Sequence, residues 1–117
     1  MKPTIQGERG ASRLTIGSQE ITLPGPIEQV LPWDGKECVV VLLRSPESLL
    51  VFDWNGQLKK SFPPPEGFNF YYMTRDSDVG VSVVCVAVGN TRVDGWQDWQ
   101  FSIDLKTGEL VRFSPSK

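Results

Sequence analysis

Along most of the chain, apolar and polar residues alternate in short runs that turn residues interrupt every few positions. Alternation with period two is the mark of a strand with one covered face. Gly17-Ser18 separates strand segments 13–16 and 20–23, and Asp34-Gly35 separates 27–31 from 37–44. Asn55-Gly56 separates 49–54 from 58–62 and is the strongest hairpin signal, because a type I′ turn needs positive φ at both central residues. Asp76-Ser77-Asp78 separates 68–74 from 79–88, and Lys106-Thr107-Gly108 separates 99–105 from 110–113. Ser45-Pro46-Glu47-Ser48 also reads as a turn, with Pro at its second position, because the following 49–54 lacks a polar helical face. The pattern thus predicts ten short strands, joined almost throughout by hairpins.

Composition points the same way. Valine occurs 13 times and alanine twice, and no segment free of both Gly and Pro exceeds 12 residues. Long helices have almost nowhere to form. The expected fold class is all-β and antiparallel, in a single domain of 117 residues.

Two breaks, Pro24-Gly25-Pro26 and Pro63-Pro64-Pro65-Glu66-Gly67, divide the chain into a hairpin at 13–23 and units at 27–62 and 68–113. The units are alike inside. Cys38-Val39-Val40-Val41 matches Cys85-Val86-Ala87-Val88, and Phe52-Asp53-Trp54-Asn55-Gly56-Gln57-Leu58 matches Ile103-Asp104-Leu105-Lys106-Thr107-Gly108-Glu109-Leu110. Each reads as a four-strand antiparallel meander, and its strand–Asp–turn–Gly–strand ending resembles the outer hairpin of a β-propeller blade. That resemblance implies propeller-like blades, with the N-terminal hairpin as half of one. Two and a half blades cannot close a ring. The sheets are therefore expected to pack as a sandwich or flattened barrel, the alternative being a ring completed by several chains.

Charge and residue types restrict the chemistry. Twelve Lys+Arg against 14 Asp+Glu give a net charge of −2, which argues against nucleic acid. The absence of histidine removes Ser–His and Cys–His catalytic pairs and histidine metal sites. Two cysteines alone cannot build a tetrahedral zinc site. Cys38 and Cys85 lie in valine-rich runs and read as buried free thiols, with a disulfide as the alternative. Asp76-Ser77-Asp78 opens like a calcium loop but lacks the later ligands. Asp53 and Asp104 occupy matching repeat positions and read as turn caps that accept backbone N–H groups. No phosphate-cradling loop is found, so neither cofactor nor metal is expected. No apolar stretch is long enough for a membrane span, and the N-terminal residues lack the apolar core of a signal peptide, so the expected location is cytoplasmic.

Function is therefore expected to be binding rather than catalysis. The segment 89–98 has no counterpart in the first unit, and it carries Asp94, Trp96 and Asp98. Phe68-Asn69-Phe70-Tyr71-Tyr72-Met73 is an aromatic strand whose alternation puts Phe68, Phe70 and Tyr72 on one face and Asn69, Tyr71 and Met73 on the other. Trp99, Phe101 and Ile103 share a core face. The expected contact surface is Asp94, Trp96 and Asp98, joined by Tyr71. A small acidic β protein suits, by analogy of class, a bacterial immunity protein that occludes a toxin domain. The alternatives are a sugar-binding module or small enzyme that uses Trp and Asp loops, and a structural repeat.

Overall fold

The computed structural model describes residues 2–89 and 92–116. The fold is all-β, with three antiparallel sheets. The first holds β1 (Ile5–Gln6), β2 (Arg13–Ile16) and β3 (Gln19–Thr22). The second is a meander of β4 (Ile27–Trp33), β5 (Cys38–Arg44), β6 (Glu47–Asp53) and β7 (Leu58–Phe62). The third repeats that order with β8 (Phe68–Asp76), β9 (Gly80–Ala87), β10 (Asp98–Asp104) and β11 (Glu109–Pro115). Among the described residues no sheet closes into a barrel, and the packing is that of stacked sheets.

The second sheet is the middle layer, and its sequence explains why. The run Cys38 to Leu43 is apolar without alternation, the pattern of a strand covered on both faces. Cys38, Val40 and Leu42 join Val83, Cys85 and Phe101 in the core towards the third sheet. Val39, Val41 and Leu43 join Leu14 and Ile16 in the core towards the first. β6 divides likewise, with Leu49 and Val51 towards the third sheet and Leu50 and Phe52 towards the first. Trp99, Phe101 and Ile103 all enter the core between the second and third sheets, as their alternation requires.

Three turns differ from the sequence reading. Asn55-Gly56 is not a type I′ turn. Only Gly56 has positive φ (84°), and the Asp53 N–H reaches the Gln57 carbonyl at 2.9 Å across a three-residue loop. The Asp53 carboxylate selects this form by accepting the N–H groups of Asn55 (2.9 Å) and Gln57 (3.0 Å). The Ser-Pro turn is shifted by one residue: Arg44 pairs with Glu47, so Pro46 stands third, after a cis Ser45–Pro46 bond. Asp34-Gly35 belongs to a short 3-10 turn, Asp34–Lys36.

The aromatic strand differs most. β8 carries a bulge between Phe70, opposite Cys85, and Tyr72, opposite Val84. The extra residue, Tyr71, breaks the alternation. Phe70 and Met73 are each 2% exposed in the core, whereas Tyr71 and Tyr72 are both exposed, at 52% and 40%.

Candidate interaction surface

The bulge is held from outside its own sheet. β8 is an edge strand, and the free backbone groups of Phe70, Tyr71 and Met73 are taken up by side chains of the second sheet. The Gln29 amide donates to the Met73 carbonyl at 2.9 Å and accepts from the Met73 N–H at 2.6 Å. The Arg44 guanidinium donates to the Phe70 and Tyr71 carbonyls, and the Glu47 carboxylate accepts the Phe70 N–H. Glu28 pairs with both Arg44 (3.4 Å) and Arg9 (3.2 Å). Partial burial pushes the Glu28 carboxyl up, but hydrogen bonds and charge from Arg9 and Arg44 outweigh it and hold the group below its ordinary range. The middle of this edge is thus closed to strand addition, and the larger surface that the third sheet presents is its face.

That face is the outer side of the third sheet. Along β9, Val81, Val83 and Cys85 point into the core, so Ser82, Val84 and Val86 point outward. Tyr72 and Gln100 flank Val84 in register, and Thr74 and Ser102 flank Ser82. Neighbours lean over the middle of the face, and Ser82 and Val84 are almost fully covered, at 0% and 1%. Val111, opposite Ser102, extends the face on β11 and is exposed. Among the described residues, six of the seven exposed large hydrophobic residues, Tyr71, Tyr72, Val88, Trp96, Val111 and Phe113, belong to the third sheet and its connections. On the first sheet the outward positions, Arg13, Thr15, Glu20 and Thr22, are all polar, and Arg13 pairs with Glu20 at 2.8 Å.

The residues expected to meet a partner do not form one cluster. Asp94 and Gly95 have φ of 50° and 86°, and Val93 and Trp96 exchange both backbone hydrogen bonds, at 2.8 and 3.0 Å. The type I′ turn is therefore here, inside the segment expected to be an open loop. Asn90 and Thr91, near the start of that segment, lie outside the described residues. The hairpin is docked: Trp99 Nε1 donates to the Val93 carbonyl at 3.0 Å, and Val93 packs on the core. The Asp94 carboxylate binds Arg112 at 2.7 Å, and the Arg112 guanidinium lies 4.4 Å over the Trp99 ring. Asp94 thus anchors the hairpin, while Trp96 is 41% exposed at its end. Asp98 opens β10 opposite Val86 on the outer face. Tyr71 is on β8, with β9 between it and β10, and its ring meets Tyr72 edge to face at 4.9 Å. Val84, Gln100 and Val111 did not enter the sequence reading, and Tyr72 entered it on the same face as Phe70. The legible signal was the run Val83 to Val88, apolar without alternation.

The remaining carboxylates of interest serve turns. Asp104 Oδ1 accepts the N–H groups of Lys106 (2.9 Å) and Thr107 (3.2 Å), and Asp76 Oδ1 those of Asp78 (2.8 Å) and Val79 (3.2 Å). The Thr107 and Lys106 N–H groups hold the Asp104 carboxyl below its ordinary range, and for Asp53 the Gln57 N–H does so against partial burial, helped by Asn55 and Lys59. Among the described residues no group of three or more Cys, Asp or Glu could hold a metal ion, and no helix is long and apolar enough to cross a membrane.

Cys38 and Cys85 are free and buried, as expected. Burial pushes the Cys38 thiol up to about 11 against a smaller pull from the Lys36 charge, and the Cys85 thiol up to about 12, with Glu47 adding to the rise. A thiol with a raised folded pKa stabilises the fold fully below its unfolded pKa of about 9, and that stability is lost as pH climbs through the folded value. Stability should thus fall between about pH 9 and 12, with Cys85 supplying up to about 4 kcal/mol of the drop. Denaturant titrations across this range should show a shallower fall for Cys85→Ala than for the native chain, and equal slopes would contradict the assignment.

No protein-family model, curated protein or solved structure matches the chain.

Proposed function

We propose that the chain works by binding a protein, with the outer face of the third sheet as the recognition surface. One observation carries this reading: Val84 and Val86, on the outer side of β9, belong to neither of the two cores, and the large apolar residues around them, Tyr72 and Val111, are exposed. The corresponding side of β5, with Val39, Val41 and Leu43, belongs instead to the core towards the first sheet. Patches of this kind mark interaction sites. The exposed tyrosines and Trp96 supply the aromatic anchors enriched among residues that dominate binding energy. Charge favours a basic partner. Residues 1–62 carry 7 Lys+Arg and 7 Asp+Glu, 7 − 7 = 0, whereas 68–116 carry 4 and 6, 4 − 6 = −2. Such a bias steers association and partner choice.

An inhibitor that occludes a basic toxin domain, as an immunity protein does, is the role we assign within this class. The product of the adjacent gene is the partner to test, by complex formation and by growth on co-expression. Tyr72→Asp should weaken the complex at least about 30-fold, which corresponds to about 2 kcal/mol, while the melting temperature holds. Thr15→Asp on the first sheet should leave affinity unchanged. Loss of affinity in Thr15→Asp with retention in Tyr72→Asp would move the interface to the opposite end of the stack. Absence of a complex would remove the immunity role.

A further inference from the structure

We infer that the cleft at the turn ends of the second and third sheets binds a small organic anion with an apolar body. The cleft encloses about 350 Å³, the lower end of the range for small-molecule sites. Its floor is Cys38, Val51 and Leu105, and its rim carries Lys36, Lys59 and Lys60. An adjoining pocket of about 260 Å³ shares Lys36 and Leu105 and adds Lys106. Four of the chain's six lysines therefore gather at one end of an otherwise acidic molecule.

The balance of partners makes this concentration a site. Lys59 is paired with Asp53 at 3.4 Å, and the other carboxylate oxygen of Asp53 holds the turn. Asp104 is engaged by its own turn. Lys36, Lys60 and Lys106 make no ion pair among the described residues, and Glu37 is the remaining carboxylate on the lining. Lys60 is placed unusually for a lysine. It stands opposite Val51, on the core side of β7, where alternation calls for an apolar residue. Its Nζ ends 3.4 Å from where a Cβ on Gly108 would lie, so the ammonium reaches across to the β10–β11 turn. A ring or short acyl body between Val51 and Leu105 would set a carboxylate or phosphate against Lys36 and Lys60, with the apolar floor excluding water and strengthening the contact.

This cleft is separate from the outer face of the third sheet and does not depend on the proposed function. Phenyl phosphate is the probe, followed by amide chemical shifts in ¹⁵N-labelled protein. Saturable shifts are expected at residues 36–38, 51–53, 59–60 and 105–108. Inorganic phosphate and benzyl alcohol should each bind at least tenfold more weakly, because one lacks the apolar body and the other the charge. Lys60→Gln should weaken phenyl phosphate at least tenfold with the remaining spectrum unchanged, and Lys2→Gln should not. Lys36→Gln supplies the same comparison should Lys60→Gln fold poorly. Unsaturable shifts spread over exposed lysines, equal binding of inorganic phosphate, or undiminished binding in both cleft variants would overturn the inference.

Discussion

Phe70→Ala lowers the unfolding free energy by about 3–5 kcal/mol, whereas Tyr72→Ala, two residues along the same strand, costs under about 1 kcal/mol. Strict alternation would give these two positions the same face and comparable costs. The bulge separates them. Phe70 is among the largest fully enclosed side chains and packs between the second and third sheets. Its removal leaves a cavity that the sheets cannot close, because Arg44 and Glu47 pin the backbone at this residue. Tyr72 lies over Val84 on the outer face, 40% exposed, and its truncation leaves no enclosed void. Thermal melts of the two variants should differ by on the order of 10–20 °C. Equal losses would mean that the bulge is absent and Tyr72 is core.

Gly80→Ala should destabilise the fold by at least about 3 kcal/mol. Gly80 has a φ of 81°, which alone costs an L-residue about 1–2 kcal/mol. A Cβ here would lie 2.4 Å from Nε1 of Trp33 and 2.7 Å from its ring carbon Cε2. Trp33 is 8% exposed and belongs to the core between the second and third sheets, so its ring could retreat only by disturbing that core. Gly35→Ala is the control, since nothing lies within 4 Å of the added carbon and the φ is not positive. Denaturant midpoints should fall for Gly80→Ala and hold for Gly35→Ala. A native-like Gly80→Ala would show that Trp33 does not pack on this turn.

These two positions mark how far the sequence was legible. Alternation and turn residues located the strands. What they left hidden was non-local. The bulge at Tyr71 is fixed by Gln29, Arg44 and Glu47, more than twenty residues away, and no local pattern announces such partners. The choice between the two candidate type I′ turns was likewise made by side chains. Asp53 diverts Asn55-Gly56 into a wider loop, while Arg112 and Trp99 seat Asp94-Gly95 in the tight form. Of the expected site, Tyr71 and Trp96 are both exposed. The Asp94 carboxylate is paired with Arg112, and Tyr72, which strict alternation had put on the face of Phe70, is exposed as well.

Site-specific photo-cross-linking in the native host tests the recognition surface most directly. A photoreactive phenylalanine is placed at Tyr72 or Val111 on the third sheet, or at Thr15 or Glu20 on the first, and the adducts are identified by mass. One discrete adduct, with a basic protein, is expected from Tyr72 and Val111, and none from Thr15 or Glu20. Adducts from the first sheet alone, or none from any of the four positions, would contradict this expectation.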